Sequence, residues 1–209
     1  MKTFTASTLA FMATLLPAIH AAPAYIPWAY NPSVPGIHNK TIAANEGTFY
    51  INKNVTARCP DYDPDCPAKN TTIITGPTYS LDSSEDQWWM GILEPGGQTL
   101  FTGARLHGAL QYAAAASGNQ IDYRDNPRGF LSTGNATTGG LKLMGSGNDF
   151  AACPNGDGSY TVQVEETLPQ GCTRFEMVLE ETHAPAVQYY QCVGCEDRCY
   201  TNRCSGKYE

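Results

Sequence analysis

The chain is short of positive charge. Thirteen lysines and arginines stand against twenty aspartates and glutamates, a formal net charge of −7 over 209 residues, and the basic residues nowhere cluster. Nucleic acid and anionic membranes are therefore not expected as partners. Beyond the N-terminal leader no run is long and apolar enough to cross a bilayer. The polar ending SGKYE lacks the hydrophobic tail that a GPI anchor signal needs. Histidine is scarce: besides His20 there are only His38, His107 and His183, scattered and outside any motif. No GxSxG occurs, and Gly145-Ser146-Gly147 lacks the strand–turn–helix context of a nucleophile elbow. Carboxylates such as Glu94, Asp122, Asp125, Glu165 and Glu176 are available. A glycosidase, however, needs two of them facing each other across a cleft, and nothing in the sequence pairs them. A protein without catalytic residues, cofactor or metal is the expectation.

What is present begins with MKTFTASTLAFMATLLPAIHA. A lysine, an apolar stretch and small residues near Ala21 make residues 1–21 a secretory signal peptide. A secreted chain folds in an oxidising compartment, where an even set of cysteines means disulfides. Four sequons agree with that route, at Asn39, Asn54, Asn70 and Asn135, each marking a surface loop or strand end.

Residues 22–43 form a leader in which Pro23, Pro27, Pro32 and Pro35 oppose helix and sheet interiors. An extended arm is expected, docked by Tyr25, Trp28 and Tyr30, with a disordered lead-in as the competing reading. From Gly47 the pattern is β, over residues 44–184. Tyr160, Val162 and Val164 alternate with Thr161, Gln163 and Glu165, and Phe175, Met177 and Leu179 with Glu176, Val178 and Glu180, as in half-buried antiparallel strands. Turn signals separate the strands at Gly76-Pro77, Pro95-Gly96-Gly97, Gly139-Gly140 and Asn155-Gly156-Asp157-Gly158. GALQYAAAA is ambiguous between helix and a strand with Leu110 and Tyr112 inward. No long helical period occurs. The fold class is all-β: a compact antiparallel sandwich or a closed barrel. Strand starts at Phe49, Leu100 and Phe150, roughly fifty residues apart, add a β-trefoil-like alternative.

Residues 185–209 form a cysteine-rich tail containing Cys192, Cys195, Cys199 and Cys204. Zinc is the weaker reading, because four thiolates rarely stay reduced outside the cell. No βαβ pattern supports redox chemistry at Cys192 and Cys195. A two-disulfide knot remains. Nested (Cys192–Cys204, Cys195–Cys199) and crossed (Cys192–Cys199, Cys195–Cys204) pairings are both easy, crossed being slightly favoured; adjacent pairing closes a strained CxxC loop. Too apolar-poor to fold alone, the knot is expected to dock on the β body, with Tyr189, Tyr190, Val193 and Tyr200 partly buried. CPDYDPDC carries Asp61, Asp63 and Asp65 at calcium-loop spacing, but Cys66 and Thr72 stand where glycine and glutamate are needed. Trp88 and Trp89 must face opposite sides of a strand, one inside and one exposed. An exposed tryptophan can stack on a sugar, which makes these two the candidate carbohydrate contacts, against the favoured reading of packing under the leader or the tail.

Several ordered pieces carry a resemblance: GTFYINKNVTARCP, CPAKNTTII, PGGQTLFT, GALQY, GFLSTG, GSGNDFAACPNGDGSYTVQVE and a cysteine at Cys172. Over Gly47 to Glu180 the chain resembles the fungal cell-wall proteins of the PhiA type, a family that includes secreted IgE-binding allergens. The resemblance implies a small secreted β protein of the wall, linked with wall integrity and conidium-bearing cell development, with no catalytic residues. It places family cysteines at Cys59, Cys66, Cys153 and Cys172, and the pairs Cys59–Cys66 and Cys153–Cys172 are expected on that basis. The expected function is a glycosylated, non-enzymatic wall protein whose body and sugars contact wall polysaccharide. The alternatives are a secreted binding protein or effector acting on carbohydrate or a partner protein and, behind it, a secreted hydrolase.

Overall fold

A computed structural model describes residues 23–59, 70–76, 87–93, 97–103, 108–114, 126–127, 129–134, 136–164, 168–184, 187, 189–190, 199–200 and 203–204. The expected signal peptide, the aspartates of CPDYDPDC, and Asn135 lie outside them. Every regular element among the described residues is a strand. In chain order they are β1 (Ala24–Tyr30), β2 (Lys40–Asn45), β3 (Thr48–Ile51), β4 (Ala57–Arg58), β5 (Ile74–Thr75), β6 (Trp89–Met90), β7 (Leu100–Gly103) and β8 (Ala109–Tyr112). Then follow β9 (Phe130–Thr133), β10 (Leu141–Gly145), β11 (Phe150–Pro154), β12 (Tyr160–Gln163), β13 (Thr173–Thr182), β14 (Tyr189–Tyr190), β15 (Cys199–Tyr200) and β16 (Arg203–Cys204).

Period-two burial accounts for the longer strands. In β13 Phe175, Met177 and Leu179 are buried, whereas Arg174, Glu176, Val178 and Glu180 are half-buried or exposed. The ambiguous GALQYAAAA run supplies β8, with Leu110 and Tyr112 buried. Local turn chemistry joins neighbours. Glu46 and Gly47, at φ 47° and 89°, form the two-residue turn between β2 and β3, the kind whose twist matches a hairpin. Between β11 and β12 the Asn155 amide donates to the Ser159 carbonyl (3.0 Å), and the Ser159 amide and hydroxyl both donate to the Asp157 carboxylate.

Seven strands close into an antiparallel barrel in the order β1-β2-β3-β8-β12-β11-β13, shut by β13 pairing with β1. β5 and β6 extend the sheet from β1, β10 and β9 extend it from β13, and β7 pairs with β8. Closure of the ring removes the unpaired edges that an open sheet would leave. The core fills it with Ile42, Phe49, Ile51, Leu110, Phe150, Val162, Phe175 and Met177, all almost wholly shielded from solvent. The fifty-residue spacing does not create equivalent strands: β3 and β11 belong to the ring, and β7 lies outside it.

Two boundaries move. The leader is no appended arm: β1 is a wall of the barrel, paired with β13 from Ala24↔Thr182 to Tyr30↔Glu176. Pro27 is buried in mid-strand. It stands where the other edge of β1 changes partner, from β5 at Ala24 and Tyr25 to β2 at Trp28 and Ala29, so a missing donor is tolerated there. At the other end the body runs past residue 184. Val187 and Tyr190 are fully buried, and β14 pairs with β4. The Tyr190 amide donates to Gln98 Oε1 (2.8 Å), while Gln98 Nε2 donates to the Tyr190 carbonyl (2.9 Å). Burial of these two side chains carries the packed body at least as far as Tyr190, past the point where strand periodicity is lost. Val193 and the side chains of Tyr189 and Tyr200 lie outside the described residues.

Cys153 is bonded to Cys172 (S–S 1.99 Å), tying β11 to the approach of β13. Cys59 is also disulfide-bonded, to a partner outside the residues whose side chains are described. In the tail, β15 and β16 pair with Cys199 opposite Cys204. Cys66, Cys192 and Cys195, and the side chains of Cys199 and Cys204, lie outside the description.

Candidate functional site

Residues directly opposite in antiparallel strands share one side of a sheet. The registers therefore compose a continuous outer face across β6, β5, β1, β13, β10 and β9. One row runs Trp89, Thr75, Ala24, Thr182. Another runs Trp28, Val178, Lys142, Thr133, and Tyr30 lies opposite Glu176. All these residues are half-buried, whereas the alternate set Tyr25, Ile74, Met90, Met177 and Leu143 is buried in the core. Two strands across and four residues along separate Trp89 from Trp28, about 16 Å by strand geometry. The indole N–H of Trp28 is covered and has no acceptor, so what this residue offers to solvent is ring surface. Tyr30 meets His38 edge-on, with ring centroids 5.1 Å apart.

Beside the aromatics lies a fixed charge network. The turn between β9 and β10 brings Thr137 over Glu176. The Thr137 amide donates to Glu176 Oε2 and the Thr137 hydroxyl to Oε1, each at 2.7 Å. Lys142 Nζ lies 3.0 Å from Asp149 Oδ1 and 3.6 Å from Glu176 Oε1. Arg174 Nη1 donates to the Asp149 carbonyl (2.8 Å). Burial disfavours the Glu176 carboxylate, but the two Thr137 bonds and the Lys142 ammonium outweigh it, and the pKa falls below the ordinary value. Such a carboxylate stays ionised, the opposite of what a general acid requires. The network, with the Lys142 and Glu176 side chains 12% and 17% exposed, lies beside the half-buried rings of Trp28 and Tyr30.

Of the two tryptophans expected as sugar contacts, only Trp89 reaches the surface. Trp88 is wholly buried, packed against Tyr25 with centroids 5.9 Å apart, and is excluded as a contact. Alternation required one of the pair to point inward without saying which; the register Thr75↔Trp89 settles it. Glu176 is the one carboxylate of the sequence-based set among the described residues; Glu94, Asp122, Asp125 and Glu165 lie outside them. Asn39, Asn54 and Asn70 are exposed. Sequence reasoning missed Thr137, Lys142 and Asp149, which belong to one site only after β10 lies against β13. Trp28 and Tyr30, expected to dock the leader, stand instead on the outer face of β1. Their outward phase was already implied by the spacing of Tyr25 and Ala29, had the leader been recognised as a strand.

The sequence pattern of the PhiA-like secreted proteins matches residues 28–191. The chain belongs to the PhiA-like secreted protein family. The match begins at Trp28, within β1, and ends just after β14, so it takes in the last three residues of that strand and the docked Tyr190 and stops short of Cys192. As a PhiA-like protein the chain is a secreted one. No curated protein and no solved structure matches it. Among the described residues no helix is long and apolar enough to cross a membrane.

Proposed function

We propose that this PhiA-like protein is a non-enzymatic component of the fungal cell wall that holds wall polysaccharide on the outer face of its barrel. The observation that carries the reading is the alignment of Trp89, Trp28 and Tyr30 on one side of the six-strand sheet. Ring faces in a row suit the apolar faces of a linear glycan, and the ordered Thr137–Glu176–Lys142 network supplies hydroxyl partners at its flank. A closed, disulfide-tied barrel suits a load-bearing rather than a reacting role, because it holds this face rigid. Glu176 is committed to a structural hydrogen-bond pair and stays ionised, which supports an adhesive use of the site.

Two measurements test the proposal. Producing cells are separated into wall, membrane and medium, and the purified protein is sedimented with insoluble wall glucan and with chitin. The wild type is expected in the wall fraction and in one of the pellets. Trp28→Ala/Trp89→Ala should weaken sedimentation by roughly tenfold or more, about 1.4 kcal/mol, with an unchanged circular dichroism spectrum. Confinement to the medium together with no polysaccharide binding would overturn the reading. So would a double variant that sediments like the wild type.

A further inference from the structure

Two sequons meet at the seam of the barrel. β1 and β2 pair only at Trp28↔Thr41 and Ala29↔Lys40; beyond that, β1 turns to β5. The β2 edge from Ala44 onward is therefore left without a strand on that side. Its polar groups are taken by the threonines of the sequons at Asn54 and Asn70. The Ala44 amide donates to Thr72 Oγ1 at 2.7 Å, and the Glu46 amide donates to Thr56 Oγ1 at 2.8 Å. The Thr56 amide returns a bond to the Ala44 carbonyl at 3.0 Å. Both tripeptides are pinned elsewhere as well: Asn45 Nδ2 donates to the Asn54 carbonyl (2.8 Å), and the Tyr190 hydroxyl donates to the Thr71 carbonyl (2.9 Å). Asn54 and Asn70 themselves are exposed, whereas Thr72 is only 2% exposed.

From this we infer that Thr56 and Thr72 are each used twice, first by the glycosyltransferase that reads the sequon and then by the fold as edge acceptors. Asn70 is accordingly a site that must be glycosylated before the seam closes. In the transfer, the anomeric C–O bond of a lipid-pyrophosphate-linked oligosaccharide breaks and a C–N bond to Asn Nδ2 forms. The amide gives up one proton, and the lipid pyrophosphate leaves with the bonding electrons. The transferase must reach the sequon hydroxyl, and in the folded protein the Thr72 hydroxyl is buried against Ala44. Chain order provides the opportunity. Tyr190, which clamps the Thr71 carbonyl, is made 119 residues later. At ordinary synthesis rates that leaves on the order of ten seconds.

The test uses the full secreted chain made without glycans. Oxidised, folded protein and reduced, unfolded protein are offered to microsomal transferase with a lipid-pyrophosphate-linked oligosaccharide, and occupancy of each site is read by peptide mass spectrometry. Modification of Asn70 should be at least roughly tenfold slower in the folded chain, because it waits on local opening. Equal rates would overturn the inference. The structural use has its own readout in the glycan-free protein. Thr72→Ala should lower the melting temperature, while Thr72→Ser and Asn70→Gln should leave it within about 2 °C. If Thr72→Ala melts with the wild type, the hydroxyl is not an edge acceptor and the double use is wrong.

Discussion

Tyr190 offers a sharp test of how the barrel is completed. Its side chain is wholly buried, and its hydroxyl has two backbone partners: it accepts from the Ile73 amide at 2.9 Å and donates to the Thr71 carbonyl at 2.9 Å. Tyr190→Phe keeps the ring and its edge-on contact with Tyr112 (6.1 Å between centroids) and removes only the oxygen. It strands a buried amide, at about 1–3 kcal/mol, and leaves a carbonyl short of a donor, for a total of about 2–4 kcal/mol. For a domain of this size that is a fall of roughly 5–12 °C in melting temperature. Differential scanning calorimetry reads it, with Tyr50→Phe at a half-buried position as the control expected to change little. The same substitution has a pH signature. Burial raises the Tyr190 pKa above its ordinary value near 10, against the opposing bond from the Ile73 amide. A raised pKa means stability that is fully present below the unfolded value and is lost as pH rises beyond it. The wild type should therefore lose stability more steeply than Tyr190→Phe above about pH 10. A Tyr190→Phe protein that melts within about 2 °C of the wild type would refute the assigned hydrogen bonds.

Three further outcomes are expected. Truncation after Gln191 should leave a folded barrel, while truncation after Ala184, which removes Val187 and Tyr190, should cost more than about 4 kcal/mol; urea unfolding of the two forms separates them. Replacing Cys153 and Cys172 by serine opens a link spanning 19 residues of sequence, worth about 3 kcal/mol in the chain-entropy model, and should lower the urea midpoint accordingly. Because the Glu176 pKa is depressed, its contribution to stability is present above the ordinary glutamate value and is lost as pH falls through the folded one. Melting temperatures followed from about pH 6 to about pH 3 should fall less steeply for Glu176→Gln than for the wild type.

The strand periodicity of β12 and β13 was readable in the sequence because burial on one face imposes period two directly on the residue order. The turn at Asn155–Ser159 was readable for a similar reason: its backbone demands specific residues within five positions. Trp88 and Trp89 mark the limit of that local logic, since alternation separates the pair but cannot orient it without a neighbouring strand. The prolines of the leader were misleading. A rule about hydrogen-bond donors makes Pro27 look excluded from a sheet, yet its place opposite Leu179, at a change of partner on the other edge, depends on residues some 150 positions away. The same holds for Tyr190 beneath Thr71 and Ile73, for Thr137 clamping Glu176, and for Thr72 sealing the β2 edge. By itself the sequence determined an all-β, secreted, cysteine-tied chain, because composition and short-range pattern carry those properties. Only the tertiary structure decided that the sheet closes into a barrel through β1 and β13, and which outward side chains share a face, because both rest on pairings between distant segments.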